Sequence, residues 1–116
     1  MNVYQLEPIT VCKGSSLNPE FIFVNKDNSI PDYSEYHAYF ILSPYGFEDE
    51  NILSIEMDKV EKNKFVAIIN TTYTEDIEEG TYTIKVVLVD KNGNQYRYAR
   101  GILNILKDTK EVGVTI

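Results

Sequence analysis

The sequence predicts an all-β chain, a single antiparallel β-sandwich of about seven strands. One observation is punctuation. Turn-forming residues recur at short intervals, at Lys13-Gly14-Ser15-Ser16, Asn25 to Ser29, Ser43-Pro44-Tyr45-Gly46, Lys62-Asn63, Glu79-Gly80 and Asp90 to Asn94. Between them lie short runs rich in Val, Ile, Tyr, Phe and Thr, side chains that fit a pleated surface. The other observation is alternation with a period of two, and nothing in the chain sustains a helical period.

Strands are expected at about 8–12, 17–24, 36–43, 52–57, 64–71, 81–89 and 95–106. The first carries Ile9, Val11 and Cys12. In the second, Leu17, Phe21 and Phe23 share a face, and Pro19 suits a strand entry or an edge because it has no N–H to donate. The third and fourth are apolar runs on either side of the Ser43 to Glu50 loop, and the fifth places Phe65, Ala67 and Ile69 on one face. The sixth alternates most clearly: Tyr82, Ile84, Val86 and Leu88 must face the core, whereas Thr83, Lys85 and Val87 fall on the other side. Asn92-Gly93, two residues that accept positive φ, marks a hairpin joining the sixth strand to the seventh.

The entry to the sixth strand narrows the class. Glu78-x-Gly80-x-Tyr82 has the spacing of a tyrosine corner, in which the Tyr hydroxyl bonds back to the preceding loop in immunoglobulin-like sandwiches. Ile84 stands where antibody-type domains carry a second Cys. At 116 residues the chain fits one domain, with a core over about 8–106 and a short tail, 107–116. The lone Cys12 excludes an internal disulfide and suits a reducing compartment. The N-terminus lacks the pattern of a signal peptide, and no apolar run is long enough for a membrane helix, so a soluble chain made in the cytoplasm is expected.

With 18 acidic against 11 basic residues, the formal charge of −7 opposes binding to nucleic acid or an anionic membrane and favours protein partners. No catalytic constellation stands out. His37 is the single histidine and Cys12 the single thiol, and both fall in apolar strands, where a core or sheet-face histidine and an inert buried thiol are the plainer reading. Asp90, Asn92 and Asn94 mimic the start of a calcium loop, but Gln95 replaces its Gly and Gly101 its Glu, so the run reads as a turn. The sequon Asn70-Thr71-Thr72 reads as β-strand threonine. No enzyme activity, metal or cofactor is expected.

Nine Tyr, five Phe and no Trp are too many aromatic rings for one small core. Some of Tyr33, Tyr36, Tyr39, Tyr45, Tyr73, Tyr96 and Tyr98 must lie at a surface, for protein contact or for stacking on a carbohydrate. Tyr45 and Phe47, at a loop, and Val112, Val114 and Ile116, an apolar set in the tail, are the candidate partner contacts. Gly80, Tyr82, Asn92 and Gly93 are the expected structural positions.

Several runs together carry a resemblance: Ile9-Thr10-Val11-Cys12-Lys13-Gly14-Ser15, Lys26-Asp27-Asn28-Ser29-Ile30-Pro31-Asp32-Tyr33-Ser34-Glu35-Tyr36, Glu79-Gly80-Thr81-Tyr82, Asp90-Lys91-Asn92-Gly93 and Arg100-Gly101-Ile102-Leu103-Asn104-Ile105. The chain resembles immunoglobulin-like bacteriophage virion domains typified by the N-terminal domain of the baseplate upper protein, over roughly residues 8 to 106. Asn28-Ser29 stands where the pattern has Gly, and the Ser43 to Glu50 loop is outside it. The resemblance implies a non-enzymatic, multi-copy building block of tail, baseplate, neck or capsid surface, located in the virion and in contact with other virion proteins or itself. A carbohydrate- or receptor-binding module on the same scaffold is the alternative.

Overall fold

The computed structural model describes residues 4–106, in which nine strands and one helical turn form two sheets around a shared core. The strands are β1 (Tyr4–Gln5), β2 (Ile9–Cys12), β3 (Glu20–Ile22), β4 (His37–Pro44), β5 (Leu53–Glu56), β6 (Asp58–Glu61), β7 (Lys64–Val66), β8 (Gly80–Val89) and β9 (Gln95–Leu106). The larger sheet has the order β1-β9-β8-β4-β5, with β2 also on β9, and the smaller has the order β3-β7-β6. The chain is all-β, as expected. The expected purely antiparallel pairing is corrected, because β1 and β2 run parallel to β9. The tail residues Val112, Val114 and Ile116 lie outside the described residues.

Alternation assigned the core correctly. Phe21 and Phe65 of the smaller sheet, with Phe23, Ala67 and Ile69 just beyond its strands, meet Phe40, Leu42, Ile84, Val86 and Leu88 from the larger one, and all are buried. Phe21 and Phe40 bridge the two sheets with ring centroids 6.2 Å apart. One end is closed by an aromatic chain: Tyr33 packs edge-on to Phe23 at 5.7 Å and against Tyr36 at 4.9 Å. Among the described residues, no helix is long and apolar enough to cross a membrane.

Three further expectations are corrected, and one strand was not foreseen. The strand read over 17–24 shrinks to Glu20–Ile22, since Pro19 can accept from Ala67 but cannot donate, leaving Leu17 to pair with Ile69 in an isolated bridge. The strand read over 64–71 likewise ends early, and Thr71–Thr74 form a helical turn, α1, so the Asn70-Thr71-Thr72 sequon is not strand. Buried Thr74 donates to Ser15 O at 2.8 Å and pins this turn to the β2–β3 connection. β6 escaped the sequence reading because Asp58-Lys59-Val60-Glu61 has no apolar alternation, and all four residues are exposed. It forms by completing the free edge of β7.

The β8–β9 hairpin turns through Asp90 to Asn94 with Gly93 at φ 85°, but Asn92 does not take positive φ. The connection is a turn closed by Gly93 N–H to Asp90 O at 3.0 Å, with Gly93 itself left-handed. The Asp90 carboxylate accepts the N–H groups of Asn92 and Asn94, both at 2.9 Å, and the Tyr96 hydroxyl at 3.3 Å. In the second turn Asn28 adopts φ 67°, the conformation that a Gly would supply.

Acid sensitivity follows from these turns. The Asn94 N–H first of all holds the Asp90 carboxyl below its usual 3.8, and Ser29 and Ser34 do the same for Asp27 and Asp32. A carboxylate depressed in the folded state stabilises fully above the unfolded value and loses that contribution as pH falls through the folded one. The melting temperature should therefore hold between pH 7 and pH 5 and drop below about pH 4. Circular-dichroism melts of Asp90→Asn should show a smaller drop over the same range.

Candidate interaction surface

Tyr82 enters β8 with its ring against the core and its hydroxyl donating to Glu78 O at 2.5 Å. Burial, with the Glu78 charge as a lesser cause, pushes the Tyr82 phenol above its usual value, so it stays protonated and donates. Tyr82→Phe should cost about 0.5–1.5 kcal/mol, read as a lower urea midpoint at unchanged slope. This corner fixes the chain from Asp76 to Thr81, which lines a groove of about 580 Å³ together with Pro44, Ile52, Leu53 and Tyr73.

The loop between β4 and β5 leaves the groove at Pro44, and Tyr45 then lies beside Thr83, Arg100, Gly101 and Ile102 on the larger sheet. Pro44-Tyr45-Gly46-Phe47 turns with Phe47 N–H bonded to Pro44 O at 2.9 Å and Gly46 at φ 86°. The tip is left bare, with Tyr45 60% and Phe47 62% exposed, and Ile52 and Tyr73 also exposed beside the groove. The groove's wall is acidic, with Asp76, Glu78 and Glu79. Exposed apolar rings on a loop that leaves a carboxylate-rich groove suit a partner that brings basic and apolar side chains together.

The rest of this loop folds over the outer face of the larger sheet, the face on which alternation places Thr83, Lys85 and Val87. Thr83, Lys85 and Val87 are 1%, 8% and 7% exposed. Lys85 Nζ donates to Glu48 O at 2.6 Å and to Asn51 Oδ1 at 2.9 Å. Ser43 Oγ, fully buried, lies 3.2 and 3.0 Å from the same two acceptors and has one proton to donate to them. Lys85 and Arg100 are cross-strand neighbours, a like-charge pairing that destabilises unless an anion intervenes. Glu48 intervenes: its carboxylate pairs with the Arg100 guanidinium while its carbonyl takes the Lys85 ammonium. The tip is thereby braced from beneath.

The sequence candidates thus divide. Tyr45 and Phe47 are both exposed in the turn after β4, Gly80 and Tyr82 build the corner at the start of β8, and Asn92 and Gly93 lie in the hairpin at its far end. Lys85, Glu48, Asn51 and Ser43 were not singled out, although a Lys within Thr83-Ile84-Lys85-Val86-Val87 is the one charge in an otherwise apolar strand. His37 is the sheet-face histidine of the two expected alternatives, exposed at the start of β4 and bonded through Nδ1 to Glu56 at 3.2 Å. It lies beside Val89, while Cys12 lies beside Leu106 at the other end of the β8–β9 ribbon. The ten residues of β8 separate these ends by about 30 Å, too far for a Cys–His pair. No protein-family model matches the chain, and no curated protein is significantly similar to it.

Proposed function

We propose that this chain is an immunoglobulin-like sandwich that serves as a non-enzymatic interaction module, present in many copies in a bacteriophage particle. The strand order β3-β7-β6 facing β5-β4-β8-β9, a β2 strand parallel to β9 and the Tyr82 corner bond support the fold reading. The runs from Ile9 to Ser15, Lys26 to Ser34 and Arg100 to Leu103 support the particle.

The observation that carries a contact role is the braced tip: Tyr45 and Phe47 are exposed, while a buried lysine and serine are committed to holding the loop beneath them. Exposed aromatics on a fixed support lose little conformational entropy on docking. A contact of about 800 Å² per partner is enough for a stable complex.

The test is to purify particles from cells that encode the chain, and to compare wild type with a Tyr45→Ser/Phe47→Ser double variant by gel and mass spectrometry. Wild type should appear in stoichiometric, multi-copy amounts, and the variant should melt like wild type yet be missing from particles. A wild-type chain found in the lysate but absent from particles overturns the proposal. Loss of retention on a glycan column by the variant, with incorporation intact, would assign the tip to sugar stacking instead.

A further inference from the structure

β3 has one backbone row that nothing described covers. Phe21 faces Phe65 in the β3–β7 ladder, Phe23 N–H bonds Asn63 O at 2.8 Å and Ala67 N–H bonds Pro19 O at 3.0 Å. The odd-numbered residues therefore spend their backbone groups on β7, and those of Glu20, Ile22 and Val24 point away from it. No strand lies on that side among the described residues. The Ile22 and Val24 side chains are 61% and 44% exposed.

Beside this edge runs a groove of about 290 Å³, bounded across the seam by Leu6 and Ala99. Its floor is the core itself. Phe21 and Phe23, which line it, are each 8% exposed, whereas Phe40 and Phe65 deeper in are 0% and 1%. The seam is thus the thinly covered side of the core, shaped for one more strand that pairs with β3 and drops alternate apolar side chains into the gap.

We propose that this strand is the segment Glu111 to Ile116 of a second copy of the chain, laid antiparallel on β3. The inference rests on the multi-copy reading above and names the contact. Val112, Val114 and Ile116 are β-branched and alternate with Gly113 and Thr115, a pattern that fills an apolar seam on one face and leaves small groups on the other. The ten residues after Leu106 span up to ~33 Å when extended, enough to leave one sandwich and reach the next. Within one molecule β9 ends at Leu106 beside Cys12, from which the chain turns into β3. A tail folding back from there would run parallel to β3, whereas a neighbour's tail is free to form the stronger antiparallel ladder.

Sedimentation velocity of the full chain over a concentration series tests this with two variants. Ile22→Pro removes only an outward N–H and spares the β7 ladder; Val114→Asp puts a charge on the inserted face and lies outside the described sandwich residues. Wild type should self-associate, each variant alone should sediment as a monomer, and an equal mixture should regain association, because one variant keeps its tail and the other its edge. A wild type that is monomeric throughout overturns the inference, as does Val114→Asp associating like wild type or a mixture that stays monomeric. Should Ile22→Pro fail to fold, Val114→Asp alone still decides: it must lose association. A monomeric wild type that still enters particles removes this inference and leaves the proposed function standing, and self-association without entry into particles does the reverse.

Discussion

Lys85→Met should lower stability by about 2–4 kcal/mol although it keeps the aliphatic stem, because hydrogen bonds to a charged group are worth about 1.5–3 kcal/mol and their acceptors lose their donor. Glu48 O and Asn51 Oδ1 would retain only Ser43 Oγ, which cannot serve both fully. The second consequence is local. With the latch gone, the loop should open before the sandwich unfolds, and amide hydrogen exchange should rise at Phe47 and Glu50, whose N–H groups bond within it. Lys85→Arg should not restore the latch, since a planar fork does not fit a site built for a compact ammonium. An unchanged urea midpoint and unchanged exchange in Lys85→Met would show that the loop is held by its own turns. If the Tyr45–Phe47 tip makes the partner contact, the same variant should weaken particle entry without touching either aromatic ring.

Gly101→Val should cost about 1–3 kcal/mol through overpacking, and backbone conformation plays no part in it. A Cβ built on Gly101 comes 2.8 Å from Leu6 Cβ and 3.3 Å from Leu6 Cδ1. The first of these atoms sits on the backbone and cannot swing aside. Leu6 N–H also bonds Arg100 O at 2.8 Å, so the segment between β1 and β2 would have to leave β9. Thermal melts should show the loss, and Leu6→Gly in the Gly101→Val background should recover part of it, a coupling expected only of residues in contact. Additive effects of the two substitutions would place the strain elsewhere.

Much of the architecture was written into local pattern. The period-two runs placed β4, β8 and β9 nearly to the residue, and sorted Tyr82, Ile84, Val86 and Leu88 onto the core face. The Glu78-x-Gly80-x-Tyr82 spacing located the corner bond, and Tyr45 and Phe47 stood out as aromatics in a turn. These are properties of neighbouring residues, which backbone sterics and alternation alone determine. What only the tertiary structure decided depends on groups distant in sequence. β6 exists because β7 offers unpaired backbone, and its own side chains carry no strand signal. Thr83 and Lys85 are buried because a loop more than thirty residues earlier folds across them and supplies acceptors for an ammonium that would otherwise stay in water. β3 keeps an open edge because β1 and β2 pair with β9 instead. Alternation says which side chains share a face; whether that face meets core, loop or solvent is settled by what the rest of the chain brings to it.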